Sequence, residues 1–168
     1  IYEKDLHCSF IHTLNELENR SLYLRQINPQ ATDGVLLIGT GERYREQLLA
    51  IKNRLPAVIL ADYLEDNSIP CVYPDGLQAG RDATRHLLSL GHHRIACLTG
   101  YFECQPYNRQ RLEGYKLAMR EAGLAVEPQL IREGHYKVAD AQAAMHELLK
   151  IAKPTAVFCA SDVMALGA

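Results

Sequence analysis

The sequence predicts an α/β protein built on open, doubly wound parallel sheets, and three observations carry the prediction. From Asp33 onward short runs that are apolar at every position recur along the chain, the pattern of strands buried on both faces. Segments with helical periodicity alternate with these runs, as successive βαβ units require. The joints carry Gly, Pro and Asp, the residues that start strands and stop helices.

The elements follow in order. Residues 10–19 predict a helix and residues 21–27 a short strand. Asn28-Pro29-Gln30 then leads straight towards Asp33, without the dozen or so residues that a parallel crossover needs. Residues 35–38 form an apolar strand launched by Asp33-Gly34, residues 57–60 another launched by Pro56, and residues 71–73 a third after Pro70. Residues 76–90 place Leu77, Gly80, Thr84, Leu87 and Leu88 along one helical face, with Asp75 as the N-cap. Gly91 supplies the left-handed residue that ends this helix. After the His92-His93-Arg94 elbow, residues 95–98 form a strand. Residues 109–122 set Leu112, Tyr115, Ala118, Met119 and Ala122 at i, i+3, i+4 spacing, and Gly123 closes the helix. Leu130-Ile131 is a short strand. Residues 138–151 form a helix through Ala141, Ala144, Met145, Leu148 and Leu149. Residues 156–159 form a strand after Pro154, and Ser161-Asp162 caps a helix opening Val163-Met164-Ala165.

The 168 residues suffice for one domain or two small ones, with an apolar fraction of 48% and a charged fraction of 23% that suit a globular chain. A net charge of −2 and a pI near 6.4 provide no basic footprint for gripping nucleic acid. No apolar run approaches the roughly 20 residues that span a bilayer, and the first residues do not form a signal peptide. The chain starts without Met and ends about one turn into a helix, so it reads as part of a longer protein. Five cysteines, odd in number and scattered, fit a reduced, cytoplasmic compartment.

Open α/β sheets bind ligands at the carboxyl ends of their strands. That rule selects the loops 39–44, 62–67, 101–109, 134–138 and 160–162, which hold Asp62, Arg109, Arg111, Tyr136, Ser161 and Asp162. Carboxylates, guanidinium groups and an aromatic ring suit a small hydroxylated or heterocyclic ligand. Each also has a structural reading: Asp162 as a helix cap, Arg111 in a surface ion pair, Tyr136 as a roof over the sheet. Sharper motifs fail. Gly39-Thr40-Gly41 with Asp62 about twenty residues on resembles the start of a dinucleotide fingerprint, but Tyr44 stands where its third glycine belongs. His86, His92 and His93 have no carboxylate or thiolate at ligand spacing and there is no Cys-x-x-Cys, so no metal site is expected. No nucleophile–base pair is present, so the expectation is no catalytic residue, no cofactor and no enzyme.

Taken together, the segments resemble the LacI/GalR-type bacterial transcription regulators. The resemblance rests on Asp33-Gly34-Val35-Leu36-Leu37-Ile38, Pro56-Ala57-Val58-Ile59-Leu60-Ala61-Asp62 and Tyr73-Pro74-Asp75 followed by Gly80. It continues through Leu90-Gly91-His92-His93-Arg94-Ile95-Ala96, Arg111-Leu112-Glu113-Gly114-Tyr115 and Pro154 to Ala168. It implies a periplasmic-binding-protein-like fold of two α/β subdomains, here residues 1–98 and an incomplete 99–168, with a hinge at Thr99-Gly100. It implies an effector in the cleft, a sugar, a sugar phosphate or a purine-like compound. Arg111 would hold its polar edge and Tyr136 would stack on it, with Asp62, Ser161, Asp162 and Tyr107 completing the site. By the same resemblance the whole protein is a homodimer that meets operator DNA through a headpiece not seen in this chain. The rivals are a periplasmic sugar-binding protein of a transporter and, behind it, a nicotinamide-dependent enzyme.

Overall fold

The structure, a computed structural model, describes residues 7, 9, 27–39, 42–102 and 106–168. The expected helix at 10–19, and the strand at 21–27 apart from Ile27, lie outside the described residues. Strand β1 (Val35–Ile38) leads through a 3-10 turn (Glu42–Tyr44) to helix α1 (Arg45–Lys52). Strands β2 (Ala57–Leu60) and β3 (Cys71–Val72) follow, then helix α2 (Gly76–Ser89) and strand β4 (Ile95–Thr99). Helix α3 (Pro106–Glu121), strand β5 (Ile131–Glu133), helix α4 (Val138–Ile151), strand β6 (Ala156–Cys159) and helix α5 (Asp162–Gly167) complete the chain.

The strands form two parallel sheets. The first has the order β1-β2-β3, registered Val35↔Ala57 and Ile59↔Cys71. The second has the order β5-β4-β6, registered Cys97↔Ile131 and Cys97↔Phe158. Its central strand is buried at every position, because helices cover both faces. Ala96 and Leu98 pack with Ala141, Leu148 and Met164 of α4 and α5. Ile95 and Cys97 pack with Leu112, Tyr115 and Met119 of α3. Burial drives the Cys97 thiol far above its ordinary range, so it stays a protonated apolar filler.

Two features stand beside the expected outline. Helix α1 was not expected from the sequence: it is short, Tyr44 at its N-cap makes no side-chain capping bond, and its buried residues are only Leu48 and Ile51. It supplies the crossover between β1 and β2. The boundary expected after Leu98 falls inside β4, and Thr99 and Gly100 are buried in the second unit. The chain leaves the first sheet at Val72 and enters the second unit at Gly76. Alternating strands and helices establish that a strand exists, but not which sheet it joins.

Close packing of α2 on α3 fixes the second unit. A Cβ on Gly80 would approach the Arg111 backbone oxygen, and one on Gly114 the Leu77 oxygen, closer than 3.0 Å. The Asp75 carboxylate caps α2 by accepting from the Gln78 N–H at 2.9 Å. Beyond the helix, Gly91 takes φ 88°, and His92 N–H donates to the Leu87 carbonyl at 3.2 Å.

Candidate functional site

The carboxyl ends of the second sheet's strands gather four of the expected residues on one rim. At the end of β6, the Ser161 hydroxyl is the N-cap of α5 and accepts from the Met164 N–H at 3.3 Å. Asp162, expected as a cap, is instead the first helical residue and is exposed, where its charge complements the helix dipole. Arg111 lies on α3, and its Nη1 donates to the Ala160 carbonyl, which sets the guanidinium beside Ser161. At the end of β5, Tyr136 is half-buried, with its ring against Gly100 just after β4. Tyr107 falls within α3, but its side chain lies outside the described residues.

Asp62 stands at the end of β2 in the first sheet. It is fully buried, and Oδ1 accepts from the Tyr63 N–H at 2.9 Å. Oδ2 has no hydrogen-bond partner among the described residues. Burial raises the Asp62 carboxyl above its ordinary range, and the Tyr63 N–H opposes that only in part. Ala61 just before it has a left-handed backbone with φ 60°, a conformation uncommon outside glycine.

The two units meet next to this rim. The Tyr63 hydroxyl accepts from Gln110 Nε2 at 3.2 Å, and Gln110 Oε1 accepts from the Gly76 N–H at 3.3 Å. Tyr63 stacks on Tyr73 with ring centroids 4.6 Å apart, directly before the crossing between the sheets. A groove of about 260 Å³ runs alongside, lined by Tyr63, Glu65, Leu77, Arg109, Gln110 and Glu113. Sequence reasoning passed over Tyr63 and Gln110, although each adjoins an expected residue, Asp62 and Arg111.

Other elements of the second rim were also unforeseen. His135 and Tyr136 have φ of 50° and 56°. His135 Nδ1 lies 3.1 Å from Asp140 Oδ2, and Nε2 lies 3.4 Å from Glu133 Oε2. The His135 ring meets the Tyr101 ring with centroids 4.7 Å apart. Among the described residues no group of three or more His, Cys, Asp or Glu could hold a metal ion, and no helix is long and apolar enough to cross a membrane. The dinucleotide reading fares poorly: Tyr44, which stands where the third glycine belongs, is buried in one cluster with Leu48 and Ile51 of α1. What the rim provides is binding chemistry: a guanidinium, a hydroxyl, carboxylates and aromatic faces.

Comparison with known proteins adds the relationships. Residues 3–168 match the family model described as periplasmic binding proteins and sugar binding domain of LacI family. The chain is similar to the HTH-type transcriptional repressor CytR of Escherichia coli (strain K12), 36% identical over 152 residues, covering 90% of this chain and 44% of that protein. It is similar to the HTH-type transcriptional repressor PurR of Aliivibrio fischeri (strain MJ11), 31% identical over 173 residues, covering 99% of this chain and 50% of that protein. Among solved structures, the transcription regulator CcpA of Lactococcus lactis superposes with a TM-score of 0.82 at 26% identity, covering 94% of this chain and 57% of that one. A transcriptional regulator CelR–cellobiose complex superposes with a TM-score of 0.73 at 32% identity, covering 89% of this chain and 46% of that one. The chain thus spans about half the length of the curated relatives it matches.

Proposed function

This chain belongs to the family of periplasmic binding proteins and LacI-type sugar-binding domains, and we propose that it is the effector-sensing core of a bacterial transcription regulator. The effector sits between the two units and changes their relative orientation, and a paired second copy carries that change to DNA-binding segments of the whole protein. The observation that carries this reading is the placement of Asp62, Arg111, Ser161 and Tyr136 at the strand ends of two parallel sheets joined beside them. Arg111 is the polar anchor, because a planar guanidinium fixes vicinal hydroxyls or a carboxylate in two-point geometry. Tyr136 offers a ring face for stacking, Asp62 and Ser161 offer acceptors, and Asp162 and Tyr107 flank them. Residues 73–75, where the chain changes sheets, are the hinge. Relatives named as repressors favour a regulator over a transporter's binding protein. A cellobiose complex of a structural neighbour supports a sugar among the effector classes.

The test is a thermal-shift screen of sugars, sugar phosphates and nucleosides on the full-length protein, repeated with Arg111→Ala. A ligand at a hundred times its Kd adds about 2.7 kcal/mol of stability, a shift of several degrees for a domain of this size. Arg111→Ala should abolish the shift and leave operator binding intact. A shift that survives the substitution would return Arg111 to a structural role, and no shift from any class would overturn the reading.

A further inference from the structure

The turn from β5 into α4 holds a backbone that its residue types disfavour. His135 and Tyr136 are consecutive non-glycine residues with φ of 50° and 56°, a conformation that persists only where the surroundings enforce it. A turn with no further task would carry Gly or Asn here. The enforcement converges on the His135 ring. Asp140 Oδ2 faces Nδ1 at 3.1 Å and Glu133 Oε2 faces Nε2 at 3.4 Å. Either neutral tautomer donates to one of these carboxylates, and the imidazolium donates to both. Tyr101 closes the ring's face. Glu133 also accepts the Phe102 N–H, so one carboxylate ties the loop after β4 to the turn after β5. The backbone continues the tie, because the Gly134 N–H donates to the Thr99 carbonyl at 2.8 Å. As a result the Tyr136 ring fills the space where a side chain on Gly100 would stand: a Cβ there would come closer than 3.0 Å to three of its atoms.

We propose that His135 is the positioning residue of the cleft: clamped by Glu133 and Asp140 and faced by Tyr101, it holds the left-handed turn that lays Tyr136 over Gly100. Its consequence for effector binding rests on the reading of Tyr136 as a cleft residue. The Tyr136 ring is then set before any ligand arrives, so its ordering is not charged against affinity.

His135→Gly separates the clamp from the backbone, since glycine adopts this φ freely and brings no ring. In NMR spectra of the full-length protein with labelled Tyr and Gly, the wild type should show contacts between the Tyr136 ring protons and the Gly100 α-protons. His135→Gly should lose them while the spectrum stays dispersed. Asp140→Ala, which keeps the imidazole but removes one carboxylate, should weaken them and serves if the glycine variant does not fold. Contacts that persist in both variants overturn the proposal. In the full-length protein, cellobiose, ribose and adenosine are titrated in turn. For whichever binds the wild type, His135→Gly should raise Kd about tenfold, the scale of one charge-assisted hydrogen bond. The same change in a Tyr136→Ala background should do little, and an equal loss in that background overturns the proposal. If none of the three binds the wild type, the reading of the cleft loses its support, while the ring contacts still decide the role of His135.

Discussion

At Asp62 a fully buried carboxyl has one oxygen on the Tyr63 N–H and the other without a hydrogen-bond partner among the described residues. Burial raises its proton affinity above that in the unfolded chain. The folded form therefore gains from a protonated Asp62 at acid pH, and that gain is lost as pH rises through the raised value. At neutral pH the charged form is a net cost. Asp62→Asn keeps an oxygen for the Tyr63 N–H and removes the charge. It should melt higher than the wild type at pH 7, by about 2–4 °C for each kcal/mol relieved in a chain of this size. The gap should close below about pH 4, the ordinary carboxylate range. A gap that stays constant with pH would show that desolvation of the charge is not what Asp62 costs. The same variant should lose effector binding if the free oxygen serves the ligand, trading function for stability. The strand-end rule put Asp62, Ser161 and Tyr136 at strand ends and Arg111 beside them, and that placement was legible in the sequence. It did not reveal His135, Glu133, Tyr63 or Gln110, whose roles come from pairings such as Tyr63 with Gln110. Nor could it choose between Ser161 and Asp162 as the cap, since both side chains can accept and they differ by one position.

Among the elements, the α2–α3 pair determines where Arg111 stands. Gly80 lies against the Arg111 backbone oxygen and Gly114 against that of Leu77, so the helices pack backbone to backbone. Glycine to alanine within an exposed helix ordinarily stabilises by roughly 1 kcal/mol. Here the sign reverses: Gly114→Ala must push the helices apart, a strain of about 1–3 kcal/mol. Chemical denaturation should show that loss, and effector affinity should fall with it because α3 carries Arg111. Neutral or improved stability would show that the helices part without resistance. The periodicity that predicted these two helices also put Gly80 on the inward face of α2, although it gave no hint of which helix that face would meet. The long periodic pattern of α4 gave an element with the expected bounds, and the apolar run after Pro154 did the same for β6. Helix α1 was missed because eight residues offer two turns of signal and no capping side chain.

For the whole molecule, the informative feature is where the chain passes from one sheet to the other. Nothing in the apolar run Ile95–Thr99 tells whether it extends the first sheet or opens a second, because a strand buried on both faces reads alike in either. The pairing of β4 with β5 and β6 puts the change of sheet between β3 and β4, and the proposed hinge lies there, near Pro74. A hinge there needs something to set its resting angle, and Gln110 is suitably placed. It joins the Gly76 N–H at the start of α2 to the Tyr63 hydroxyl on the first unit, and Tyr63 stacks on Tyr73 beside the crossing. A partly exposed neutral hydrogen bond contributes about 0.5–1.5 kcal/mol, too little to lock the units but enough to shift a two-state orientation by about two- to twelvefold. Tyr63→Phe keeps the ring and its stacking and deletes only the hydroxyl. Small-angle scattering should therefore show a larger radius of gyration for the ligand-free variant, with a melting temperature lowered by no more than a few degrees. Effector affinity should change by a similar factor, in the direction set by whether the bound form is the closed one. Scattering curves that superpose would mean that packing alone sets the angle, and the Tyr63–Gln110 bond would then be a passenger of the interface.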